Sequence, residues 1–139
     1  MNPLLEELVA LERSALDRWI KLDPQECLDA ASPEITSIRR PNGRVDGWEA
    51  LQMRLAPMKN LKLPFTDPRY EMTEPKVQRH GDVALLTFHL VNYGKLPNRS
   101  ESVLARWNST EISCRSDGKW KIIHSHWSYI RPEVKQQGS

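Results

Sequence analysis

Residues Ser116–Tyr129 read SDGKWKIIHSHWSY, and the way this stretch pairs decides the fold. Ser116, Asp117 and Gly118 are turn chemistry, and beyond them the side chains alternate in two sets. One set holds Trp120, Ile122, His124 and His126. The other holds Ile123, Ser125, Trp127 and Tyr129. Alternation marks a strand, and a tight turn before it returns that strand antiparallel onto Ser102–Arg115, SVLARWNSTEISCR.

Two registers are open. A two-residue Asp-Gly turn pairs Ser116 with Lys119 and sets Glu111 opposite His124 and Ser109 opposite His126. A three-residue loop, with Gly118 left-handed as a bulge, pairs Arg115 with Lys119. It sets Trp107 opposite Trp127, Ser109 opposite Ser125 and Glu111 opposite Ile123. One residue of slip moves a strand's whole side-chain set to the other face. The second register is preferred because it brings large aromatics together across the strands.

Working outward, RYEMTEPKVQ (69–78) and DVALLTFHLVNY (82–93) share the two-residue period, and short connections make all four strands antiparallel neighbours. Upstream the period is helical. Leu8, Leu11, Ala15, Trp19 and Leu22 form one buried stripe. Asp23-Pro24 reads as the start of a second, short helix running to about Ala31. EITSIRR (34–40) is a strand, Pro41–Gly43 a turn, and Arg44–Val45 a short returning strand. Asp46 is expected to cap a third helix, GWEALQMRLAPM, which Pro57 ends or kinks; Lys59–Pro68 is expected to be a loop. Helices first and an antiparallel sheet after them predict an α+β domain with the helices on one sheet face. Residues 1–132 are read as a single domain and 133–139 as a flexible polar tail.

The preferred register gathers Trp107, Ser109, Glu111, Ile123, Ser125, Trp127 and Tyr129 on one face, and Leu85, Thr87, His89, Val91 and Tyr93 are placed with them. Aromatics around a few polar groups are the make-up of a pocket wall. The opposite face then holds Leu86, Phe88, Leu90, Leu104, Trp120 and Ile122 beside His124 and His126. That is too apolar for a wet face, so a second copy is expected to cover it.

Composition narrows the function classes. A chain of 139 residues buries roughly 68–70% of its unfolded surface, enough for a core without metal or disulfide. A net charge of +2 with dispersed basic residues argues against nucleic acid. No stretch approaches the ~20 apolar residues of a membrane span. The acidic, amphipathic N-terminus is unlike a signal peptide. With two cysteines, Cys27 and Cys114, and no export signal, a cytoplasmic protein with free thiols is expected. No phosphate loop, nucleophile elbow or zinc-protease helix is present, and no cofactor is implied.

Three stretches carry a resemblance. RHGDVALLTFHLVNYG (79–94) resembles a strand of the nuclear transport factor 2-like superfamily. RSDGKWKIIHSHWS (115–128) resembles the C-terminal hairpin of its SnoaL-like branch, and RVDGWEAL (44–51) its third-helix start. The hairpin is also similar to that of the association (hub) domains of calcium/calmodulin-dependent protein kinases. The resemblance implies a curved, mostly antiparallel sheet wrapped as a cone around about three N-terminal helices. It also implies a deep pocket at the wide end and a homodimer through the outer sheet face. The hub domains line their pocket with arginines where this chain has Val91, Glu111 and Trp127, which argues against a carboxylate-binding pocket.

Within that frame Glu111 is the candidate acid or base, because desolvation would raise its pKa; an ion pair with Arg18 or Arg54 is the plainer alternative. His89 is placed to shuttle protons, or only to fill a hydrogen bond. Tyr93 and Tyr129 are candidate oxyanion donors or rim residues. Trp48, Trp107 and Trp127 stack on a flat ligand or pack the core, with Val91 and Ser109 on the same wall. His124 and His126 share a face, but no third ligand accompanies them, so no metal is expected. The function expected is a small-molecule pocket protein binding an apolar or aromatic ligand, with acid/base chemistry of the isomerase, cyclase or dehydratase kind. The alternative is a non-catalytic self-assembly module of the hub kind.

Overall fold

The structure is a computed structural model describing residues 2–39 and 43–131. There are three α-helices: α1 (Pro3–Trp19) and α2 (Gln25–Ala30) open the chain, and α3 (Trp48–Leu55) follows the first two strands. Asn2 caps α1, its side chain accepting from Leu4 N at 2.9 Å, with Pro3 in the first turn. Pro24, and not Asp23, takes the cap position of α2, one residue later than Asp-Pro chemistry predicts, while Asp23 accepts from Gln25 N at 3.0 Å. Asp46 does not cap α3. Its carboxylate pairs with Arg44 at 2.7 Å, and Gly47 takes the cap position at φ 93°, a conformation that suits glycine.

The strands are β1 (Ala31–Arg39), β2 (Val45–Asp46), β3 (Thr66–His80), β4 (Val83–Lys95), β5 (Glu101–Ser116) and β6 (Lys119–Tyr129). They form one sheet in the order β2-β1-β6-β5-β4-β3, antiparallel except where β1 runs parallel to β6. A 3-10 helix, Ala56–Asn60, and the first residues of β3 occupy much of the expected loop. Register shifts in β3–β4, β4–β5 and β5–β6 bend the sheet around the helices. The expected polar tail falls outside the described residues.

The β5–β6 hairpin corrects the preferred register. Its turn has two residues: Ser116 pairs with Lys119, and Asp117 and Gly118 sit at φ 53° and 75°. Two left-handed residues in a row match the twist of paired strands, which explains why the short turn wins. The extra residue lies further along, at Ile123, between the pairs Ser113–Ile122 and Ile112–His124. Beyond that bulge Glu111 faces Ser125, Ser109 faces Trp127 and Trp107 faces Tyr129. Trp107 and Trp127 still touch diagonally, ring centres 5.8 Å apart.

The β4 face is a second correction. Leu86, Phe88 and Leu90 pair with Glu111, Ser109 and Trp107 and turn inward, nearly sealed from solvent. His89, Val91 and Tyr93 therefore lie on the outer face with Thr87. The β4–β5 connection, residues 96–100, carries no turn signal that fixes a register, and the three more apolar side chains took the core. Trp120 also packs in that core, so the outer face is more polar than expected.

Two clusters make the interior. Leu8 and Leu16 of α1 pack on Met72, Ala84, Leu86, Phe88, Leu90 and the inward tryptophans. Leu28, Ala31, Ile35, Val45 and Leu51 form the second, from α2, β1, β2 and α3. No helix of the described residues is long and apolar enough to cross a membrane.

Candidate functional site

Between the two clusters lies a cavity of about 630 Å³. Its walls are largely apolar, with Leu8, Leu16, Trp19, Ile35, Val45 and Leu51 among them. A few polar groups converge inside: Glu12 from α1, Cys27 from α2, Arg39 from β1, and Glu111 and Ser125 from the sheet. Helix and strand placement explains this. Glu12 stands one turn from both Leu8 and Leu16, on the buried stripe itself. Arg39 pairs with Trp127 and so shares the inner face.

Glu12 and Glu111 are near enough for a hydrogen bond to form between their carboxyls. Such a bond requires that one of them keep its proton. Burial raises both acids above the usual carboxylate range, and the charge of Glu12 adds to the difficulty of ionising Glu111. For Glu12 the rise is to about 7, with Glu111 and Arg39 opposing it; Glu111 is raised well above the usual range. Polar contacts from Ser125 and Trp127 only partly offset the desolvation of Glu111, and its Oε2 finds no donor among the described residues. Glu12 keeps some accessible surface, and it is the cavity that this surface faces. The two carboxyls titrate as a pair, with burial favouring retention of a proton between them.

Arg39 sits beside them. Its guanidinium carbon lies 4.7, 4.8 and 5.0 Å from the ring centres of Trp19, Trp107 and Trp127. Burial lowers its pKa, opposed by the neighbouring acids. Cys27 is pushed up to about 12, first by burial and then by Glu111 and Glu12, so its thiol stays protonated at neutral pH.

The remaining sequence candidates divide. Trp127 lines the cavity beside Glu111. Trp107 and Ser109 share the inner face but are packed into the core: Trp107 donates to Asn92 Oδ1 at 2.8 Å, and Ser109 Oγ is buried without a partner. Tyr129 stacks on Trp107 at 4.3 Å and is 39% exposed. His89 is not in the cavity; it meets Glu74 at 2.7 Å on the outer face. Val91 is on that face too, and Tyr93 there carries Arg69 at 4.0 Å. Trp48 is spent on α2, donating to the Leu28 carbonyl at 2.8 Å, outside the main cavity. Arg18 does not neutralise Glu111, since it pairs with Asp23 and Glu26. His124 bonds Thr36 across the outer face at 2.7 Å, and no three metal-ligating side chains gather among the described residues.

Glu12, Cys27 and Arg39 were missed. The signal for Glu12 was its position: an acid one turn from Leu8 and from Leu16 is inside the stripe, not beside it. For Arg39 it was the alternation with Ile35 and Ser37 along β1.

The family model for the SnoaL-like domain matches residues 30–132. The chain belongs to the SnoaL-like family. A provisionally named ketosteroid isomerase from Parabacteroides distasonis is 30% identical to this SnoaL-like protein. That match covers 91% of this chain and 87% of that one, with a TM-score of 0.69. An NTF2-like protein of unknown function from Pseudomonas putida is 20% identical over 94% of this chain and 89% of that one, with a TM-score of 0.73. The CaMKII hub of S. rosetta is 17% identical over 94% and 98%, with a TM-score of 0.72. The last two share the nuclear transport factor 2-like fold, and at that identity the fold alone. No curated protein matches significantly.

Proposed function

We propose that this SnoaL-like protein binds an apolar or aromatic small molecule in the cavity and moves a proton on it, Glu12 and Glu111 acting together. The observation that carries this reading is the carboxyl pair, within hydrogen-bond reach of each other, facing an apolar cavity. Glu12, ionising near neutrality, is matched to take a proton from carbon or oxygen. Glu111, which burial biases toward its protonated form, is matched to donate a hydrogen bond to the oxygen on which charge develops. Arg39 adds a fixed positive charge nearby. A positioned acid–base pair of this kind accelerates proton transfer by about 10²–10⁴-fold. The type of ligand-bearing reaction, isomerisation, cyclisation or dehydration, follows from which proton is moved.

The test is a thermal-shift screen of aromatic and polyketide-like metabolites against wild type, Glu12→Gln and Glu111→Gln. Hits are then incubated in D₂O and followed by NMR. The expected result is deuterium entering one carbon position with wild type, and bound compound without exchange in either variant. Failure of every compound to raise the melting temperature would remove the pocket reading. Equal exchange in the variants would remove the acid–base reading. The self-assembly alternative gives the ionisable pair no role; light scattering on the same preparation, showing a ring-sized particle and no ligand, would favour it.

A further inference from the structure

The guanidinium of Arg39 makes no hydrogen bond and no ion pair within 4.0 Å among the described residues, although three indole rings flank it. Several other polar side chains at the core do have partners: Tyr70 donates to Asp17 at 2.6 Å, Trp107 to Asn92 and Trp48 to Leu28. An indole face attracts a cation but offers no lone pair to an N–H donor. The three tryptophans therefore hold the group in place and leave its donors uncommitted. The group is part-exposed, and the surface it keeps opens on the cavity that it lines, so its donors are available to whatever fills that cavity.

We infer that the cavity takes amphiphilic monoanions, a carboxylate-type group seated on Arg39 and the apolar remainder along the cavity walls. This deepens the reading above and rests on its premise that the cavity is the ligand site; it runs against the expectation drawn from the missing hub arginines, because Arg39 supplies a guanidinium from a different strand. The planar donor fork of a guanidinium fits the two oxygens of a carboxylate better than a single neutral acceptor. The cavity's mainly apolar lining suits the remainder of such a ligand.

The charges around the seat set a pH dependence. Glu12 from α1, Glu111 from β5, Cys27 from α2 and Tyr129 from β6 all interact with Arg39. Glu7, Glu26 and Asp29 line the same cavity, as do Arg54, Lys119 and Lys121. When Glu12 is ionised it already answers the Arg39 charge, and an incoming anion is in excess. When Glu12 takes a proton, the anion becomes the counter-charge. Anion binding therefore carries a proton with it and strengthens as pH falls through about 7.

The experiment is isothermal titration of the protein with 2-naphthylacetate and with its neutral amide, 2-naphthylacetamide, between pH 6 and 8.5. At pH 6 the carboxylate is expected to bind at least about ten-fold tighter than the amide. Above pH 7 its affinity is expected to fall by up to about ten-fold per pH unit, the slope of one linked proton. Arg39→Gln should abolish the preference while the amide still binds, and Glu12→Gln should flatten the pH profile. Arg39→Lys, which keeps the charge without the fork, serves if the glutamine variant does not fold, and should retain only part of the preference. Equal or tighter binding of the amide by wild type would overturn the anion seat and leave the pocket reading standing, as would a preference that survives at Arg39→Gln. Binding of neither compound would count against both.

Discussion

Glu12 on the first helix and Glu111 on the fifth strand meet carboxyl to carboxyl inside the cavity, each reached from an opposite wall. The folded chain holds there a proton that the unfolded chain releases near pH 4.5. That is a thermodynamic cost of folding at neutral pH, and a cost placed in a cavity is what a site for proton chemistry requires.

The first prediction follows from the sign of that cost. A carboxyl raised from 4.5 to about 7 leaves the native state binding more protons than the unfolded state throughout that window. Stability contributed by the pair therefore falls as pH rises from about 4.5 through 7. Over the whole window the Glu12 contribution is on the order of 3 kcal/mol. Glu12→Gln removes it. Urea unfolding of wild type and variant at pH 5, 6, 7 and 8 should show the variant gaining on wild type as pH rises. Parallel curves would mean that Glu12 ionises in the native state as an ordinary surface acid does.

Adjacent residues on β4 test the sheet's face assignment. Phe88 is 2% exposed and meets Trp127 edge-on at 5.5 Å, whereas His89 bonds Glu74 on the outer face. Phe88→Ala should cost about 3–5 kcal/mol, and His89→Ala about 0.5 kcal/mol or less. Denaturant midpoints of the two variants check this. A large loss at His89 with a small one at Phe88 would restore the opposite face.

How much of this was legible depends on what set each register. The helix–sheet order and the strand positions followed from period and punctuation, because side-chain alternation and Pro, Gly and Asp placement are local signals. The inward direction of Glu111 and Trp127 also followed, although by a wrong route. The slip needed to turn them inward is made at Ile123 and not at Gly118, and a mid-strand bulge leaves no mark in the residue pattern. For β4 the connection to β5 carried no register information, so His89, Val91 and Tyr93 went to the wrong face. The partner of Glu111 lay 99 positions away on a helix. Only tertiary packing brings Glu12 and Glu111 together, and only the stripe position of Glu12 hinted at it.

The hairpin turn gives a third prediction. Gly118 is at φ 75°, and a methyl group added there would meet nothing within 4 Å. Gly118→Ala should therefore report backbone strain alone, about 1–2 kcal/mol of lost stability. Gly43, which has equal space and no such φ, offers the comparison, where alanine should be near neutral. Equal effects at the two positions, measured by thermal unfolding, would argue against the left-handed two-residue turn.

Ser109 gives the last. Its hydroxyl is 2% exposed, faces Trp127 across the hairpin and has no hydrogen-bond partner among the described residues. A hydroxyl buried unpaired costs about 1–3 kcal/mol. Alanine removes the polar atom and leaves a void smaller than a methyl group, so the usual penalty for a core truncation should be outweighed. Ser109→Ala is expected to raise stability by about 1 kcal/mol in urea unfolding, with the affinity for any cavity ligand unchanged, since Trp127 and not Ser109 lines the cavity. A variant that is destabilised would show that the hydroxyl has found an acceptor. One that is stable but loses ligand would return Ser109 to the pocket wall where the sequence first placed it.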